Sequence, residues 1–278
     1  MEAVLNVKDV PDRLVKAVVA DYERGLTAEI MKYPWQSETC IGAWHYLRPL
    51  YDKPGEYGGY LPSRDVIHWL IDTVSKNGTF ILNVPGRPDG TIDSKEIAVL
   101  DGITSWMEVN GEAIYETRPW KISGEGPNMV KAGSFQGESV NKLGEKNIRF
   151  TRNKANSIIY AIVLGWPTKP IAVQSLGLSA GTRPGKIMRV ERYVRLVGWI
   201  AIRPSEKPIP VYTKWSSQKL PSAKRETCQC SSPAEKSVRI NAHLVSSGQL
   251  KWIQLVIPNL YAPGDRSRFP QGLQRSAN

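Results

Sequence analysis

The sequence predicts an α/β unit followed by an all-β domain, on two observations. Between about residues 14 and 110, short apolar runs alternate with stretches of helical periodicity; from about 112 the helical periodicity stops, and Gly and Pro become frequent. Strand and helix in alternation imply parallel βα units, because a strand that returns parallel to its neighbour needs a crossover segment. Short strands separated by turns imply an antiparallel domain. A chain of 278 residues has room for both and can bury a substantial core.

The first element is LVKAVVA, residues 14–20, an apolar Val-rich run read as a buried strand whose C-terminal end releases the acidic Asp21 and Glu23. A second strand is expected over 41–46, with Trp44, His45 and Tyr46 at its end. A third, TFILNV over 79–84, is apolar throughout, as in a strand covered on both faces. Between the second and third, Ser63 serves as N-cap to a helix with the stripe Val66, Ile67, Leu70, Ile71 and Val74, and Asn77-Gly78 supplies a left-handed stop. Asp93 with Glu96 forms a variant capping box, opening a helix with Ile97, Leu100, Ile103, Trp106 and Met107 on one face and Asn110-Gly111 at its end. Beyond it, strands are expected over 148–151, 158–164 and 170–176. The boundary falls at 119/120, dividing the chain into 1–119 and 120–278. From about 190 the sequence is polar, Pro-rich and weakly periodic, as poorly ordered tails are; only VRLVGWIAI, HLV and LKWIQLVIP offer further strands.

Charge narrows the function classes. The net charge is +11, but residues 1–188 hold 22 Lys+Arg against 21 Asp+Glu, while 189–278 hold 15 against 5. The basic excess is therefore confined to the tail. No zinc-finger spacing, RNA-binding motif or basic helix organises it, so nucleic acid is not the expected partner. A tail that did bind nucleic acid would retain its affinity when isolated, with a steep salt dependence. Cys40, Cys228 and Cys230 form no CxxC pair, so neither a zinc site nor a disulfide framework is expected, and no metal is assigned. The first residues lack the pattern of an export signal, and no run approaches the roughly 20 apolar residues of a membrane span. The compartment stays open. Nine Trp and 11 Tyr suit either the faces of sugars or an ordinary core.

Four stretches carry a resemblance: DYERG at 21–25, PWQSETCIGAWHY at 34–46, VSKNGTFILNVPGRPDGTID at 74–93 and NGEAIYETRPW at 110–120. In this order and spacing the sequence resembles glycoside hydrolase family 29, the α-L-fucosidases, over roughly 3–190. RFTRNKANSIIYAIVLGWP and PGKIMRVE resemble pieces of that family's C-terminal β-sandwich. The resemblance implies the C-terminal part of a (β/α)8 barrel followed by the sandwich, and retaining hydrolysis of terminal α-L-fucosides from fucosylated glycans without a cofactor. Retention requires two carboxylates about 5 to 5.5 Å apart. The family's nucleophilic Asp lies on an earlier barrel strand, upstream of everything present, so the chain is expected to be inactive alone. Full-length relatives are often secreted or periplasmic.

Glu23 is the expected general acid/base. It lies just past the C-terminal end of a barrel strand, where barrel active sites are built and where burial would favour a protonated carboxyl. Trp44 matches the family aromatic that packs on the fucose methyl and ring; His45, where Gly is commoner, is assigned possible sugar contact, with Tyr46 and Trp35 as weaker binding candidates. Asn83 is placed to orient loop backbone. The alternative reading is a non-catalytic carbohydrate-binding β-domain with a barrel remnant. An incomplete barrel would also leave an unpaired parallel edge and poor solubility.

Overall fold

A computed structural model describes residues 4–165, 171–177, 179–182, 187–193, 199–204 and 252–257. Its first sheet contains β1 (Asn6–Lys8), β2 (Val19–Glu23), β3 (Trp35–Cys40) and β4 (Gly78–Pro85), mutually parallel in that order, with β10 (Trp252–Ile257) antiparallel on the outer side of β4. Two main helices follow the βα rhythm: α2 (Ser63–Ser75) links β3 to β4, and α3 (Ser94–Asn110) follows β4; a short α1 (Arg48–Asp52) precedes α2. The second sheet is antiparallel, in the order β5 (Thr117–Glu125), β6 (Ile148–Asn153), β7 (Ile159–Val163), β9 (Trp199–Pro204), β8 (Ile187–Tyr193). A parallel sheet with helices and an antiparallel sheet are therefore both present.

Because strand side chains alternate between faces, sheet and helices share one core. Ala20, Trp35, Phe80, Leu82 and Val84 face α2 and α3 and pack against Val66, Trp69, Leu70, Val74, Ile103 and Trp106. One face of the second sheet adds Tyr160 and Ile162 to this core; its other face packs Trp120, Phe150, Ala161 and Val163 in a smaller cluster. Lying between the sheets, α2 is buried from Asp65 to Ser75. Its one buried carboxylate near the C-terminus is paired there: Asp72 accepts from Lys76 Nζ at 2.8 Å and Arg149 Nε at 2.7 Å, and Lys76 Nζ also donates to the Thr27 carbonyl at 2.7 Å.

Several boundaries differ from the expectations. Val19–Glu23 replaces 14–20 as the first predicted strand, because a 3-10 turn over Asp12–Leu14, followed by turns and a bend over 15–18, takes up most of the apolar run. Trp35–Cys40 replaces 41–46, which forms bends: the strand has a polar face, and its Gln, Ser, Glu and Thr residues hid it. The stretch 170–176 holds a 3-10 turn over Gln174–Leu176, and β5 crosses the 119/120 boundary. Pro62, not Ser63, occupies the N-cap of α2, without a side-chain cap. Asp93 does cap α3, accepting from the Lys95 and Glu96 amides at 2.8 Å each. Asn77 has the expected positive φ, 73°. The tail segments VRLVGWIAI and LKWIQLVIP contribute β9 and β10, whereas HLV lies outside the described residues. β10 pairs with the outer edge of β4, and among the described residues β1 stands at the other edge of the sheet.

Candidate active site

Four parallel strands bring their C-terminal ends to one side of the sheet, and the face away from the helices is polar there. Asp21 and Glu23 of β2 share that face with Gln36 and Glu38 of β3, since the helix-facing residues between them are Tyr22 and Ser37. In register, Glu23 lies opposite Glu38 and Asp21 opposite Gln36. Lys8 of β1 bridges the two glutamates, its Nζ donating at 2.7 Å to each. Partial burial works against the ammonium, but the hydrogen bonds to Glu23 and Glu38 outweigh it and hold Lys8 above the ordinary lysine range. With both carboxylates 2.7 Å from one nitrogen, their bonded oxygens are close neighbours.

Glu23 is thus the last residue of its strand. It is not the buried carboxyl that was expected: its side chain is 31% exposed and ion-paired. The buried carboxyl is Asp21, 8% exposed, raised above the usual aspartate range by burial and then by the charge of Glu38. Glu38, absent from the sequence-based site, could have been found by counting in steps of two from Trp35, which places Glu38 on the face opposite the buried indole.

The aromatic segment 41–46 leaves the same end of β3. It is pinned at three points: the Leu61 amide donates to the Ile41 carbonyl at 2.7 Å, Asn83 Nδ2 donates to the Trp44 carbonyl at 2.9 Å, and Cys40 Sγ contacts the Gly42 carbonyl at 3.1 Å. Asn83, 4% exposed, thereby orients loop backbone. Trp44 and His45 are exposed and Tyr46 is half-buried, with the Arg87 guanidinium 5.8 Å from its ring. Trp35 stands apart from them. It begins β3, at the opposite end of the strand, has no exposed surface, donates its indole N–H to the Lys76 carbonyl at 2.9 Å and meets Tyr22 edge-on; its role is packing, and the binding assignment is corrected on that ground. Beside the β4 to α3 turn, Tyr60 donates to Asp93 at 2.9 Å, and burial followed by repulsion from Asp93 pushes the Glu96 carboxyl up to about 7. Among the described residues, no cluster of His, Cys, Asp and Glu suited to a metal is found, and no helix is long and apolar enough to cross a membrane.

Known proteins resemble part of this chain. A family model described as Alpha-L-fucosidase matches residues 3–112. Plasma alpha-L-fucosidase of Homo sapiens is 30% identical over 141 residues, 50% of this chain and 26% of that protein. Alpha-L-fucosidase of Branchiostoma floridae is 26% identical over 191 residues, 68% of this chain and 36% of that one. A crystal structure of Thermotoga maritima alpha-fucosidase shares 26% identity over 67% of this chain and 38% of that chain, with a TM-score of 0.44. The chain thus spans about a quarter to a third of the length of these curated relatives. Over the part that the family model and these relatives match, the chain is similar to the α-L-fucosidases.

Proposed function

We propose that this chain forms one side of the active site of a retaining α-L-fucosidase acting on terminal α-L-fucosides of glycans. In this reading β1 to β4 are part of a (β/α)8 barrel with the polar face lining its interior, and the antiparallel sheet is one layer of a β-sandwich. The barrel portion ends ahead of Thr117. Glu23 serves as general acid/base, and Trp44, flanked by His45 and Tyr46, is the apolar wall against the 6-deoxy face of fucose. The observation that carries the reading is the shared exit of Glu23 and the Trp44 segment from the C-terminal ends of adjacent parallel strands, the side on which barrel active sites are built.

This reading implies a proton cycle. In the first step of retention the acid protonates the leaving oxygen while a second carboxylate attacks the anomeric carbon; in the second step the same group, now a carboxylate, takes the proton of the attacking water. The resemblance assigns the nucleophile to an Asp of another barrel strand. The Lys8 bridge suits the carboxylate form of Glu23. When Glu23 carries the proton, Lys8 retains a partner in Glu38, which already accepts from it at 2.7 Å. No cofactor or metal enters this scheme.

The test uses the 278-residue chain. Saturable binding of methyl α-L-fucoside, weakened about tenfold in Trp44→Ala, is expected, with no hydrolysis of an aryl α-L-fucoside. Failure to bind the fucoside overturns the site. Turnover abolished by Glu23→Ala would keep the fucosidase assignment but overturn the need for a carboxylate from elsewhere.

A further inference from the structure

The segment 133–138, which follows β5, docks on the turn that follows β2. The Phe135 amide donates to the Glu23 carbonyl at 2.7 Å and the Gly137 amide to the Arg24 carbonyl at 2.8 Å. Leu26 and Gly133 form an antiparallel bridge, and Arg24 is ion-paired with Glu138. The approach is close enough to forbid side chains at two points. A Cβ on Gly25 would come within 2.6 Å of the Gly133 carbonyl oxygen, and one on Gly137 within 1.7 Å of the Trp69 ring. Within this rigid contact Phe135 has φ 59° yet its side chain is 62% exposed. A left-handed backbone is unfavourable for a bulky residue and persists only where the surroundings impose it. Here an aromatic ring bears that strain without contributing to either core.

We propose that Phe135 is the platform for the leaving-group sugar. This rests on Glu23 as the acid/base: the residue that protonates the glycosidic oxygen lies beside the departing pyranose, and Phe135 is tied by its backbone to that same residue. An exposed ring there can pack against the apolar C–H face of a hexopyranose, while Trp44 serves the fucose. Phe135 is then a specificity determinant that distinguishes fucosyl glycans from fucosides with small leaving groups.

The experiment compares binding of methyl α-L-fucoside and an α-L-fucosyl galactoside to the full chain and to Phe135→Gly, Phe135→Tyr and Trp44→Ala. Glycine suits the positive φ, so Phe135→Gly is expected to melt no lower than the parent while losing about tenfold in affinity for the disaccharide. Its affinity for the methyl fucoside stays unchanged, and Phe135→Tyr retains both. If Phe135→Gly binds the disaccharide as well as the parent while Trp44→Ala weakens both ligands, the platform is overturned and the site reading stands. If Trp44→Ala weakens neither, the site reading falls and takes the platform with it.

Discussion

Glu96 and His68 are buried titratable residues with opposite consequences for stability. Glu96, 2% exposed, is held up to about 7 by burial, with repulsion from Asp93 adding to it and the Asp93 amide partly opposing it. Its folded value lies above the ordinary 4.5, so the folded chain keeps a proton that the unfolded chain releases. Stability from this residue is complete below 4.5 and is lost as pH rises toward 7, by about 3 kcal/mol. His68, 1% exposed on α2, is pushed down to about 4 chiefly by burial, and its contribution is lost as pH falls from 6.5 toward 4. Glu96→Gln removes only the first effect. In urea unfolding at pH 5 and pH 7.5, the variant is expected to gain about 2 kcal/mol on the parent between the two conditions; parallel stabilities would show that the carboxyl is ionised throughout. The pairing of Asp93 with Glu96 was legible in the sequence because a cap acts over three residues. Glu38 and Phe135 were not singled out: one needed the true register of β3, the other a contact across more than a hundred residues.

The 41–46 segment shows how an element is legible in part. Its aromatics were expected at the end of a strand over 41–46; they instead follow the C-terminal end of a strand six residues earlier, Trp35–Cys40, because a face of Gln, Glu and Cys does not register as apolar. β4, apolar on both faces, was placed to within a residue at either end. The segment keeps its shape through Asn83, whose amide is the side-chain contact from β4 to the Trp44 carbonyl. Asn83→Ala leaves that carbonyl without its donor and is expected to cost about 1 kcal/mol in global stability. The larger effect is local: amide exchange over 42–46 rises while α2 keeps its protection, and fucoside affinity falls with the misplacement of Trp44. Unchanged exchange over 42–46 would mean that the Leu61 and Cys40 contacts suffice.

For the molecule as a whole, the Asp72 carboxylate ties α2 to the second sheet, beside the apolar core that both sheets share. One oxygen receives Lys76 from the same helix and the other receives Arg149 from β6, 77 residues further along, and all three side chains are almost fully buried. The helical periodicity of α2 was visible in the sequence, but nothing local announced that its polar side would be buried as well; that follows from the second sheet closing over it. Burial pushes the Lys76 ammonium down, and the Asp72 charge opposes that shift. Removing the carboxylate leaves two buried cations facing each other without a counter-charge. A pair broken on one side costs about 3 to 5 kcal/mol, far more than an exposed ion pair. Because Asp72 contacts both halves, its loss is expected to weaken them together. In hydrogen exchange of Asp72→Ala, amides of β4 and of β6 should lose protection by the same factor, whereas Arg48→Ala, which breaks an exposed pair with Asp52, should leave both unchanged. If β4 keeps its protection while β6 loses it, the two sheets are separate cooperative units, and the buried triad serves only the second.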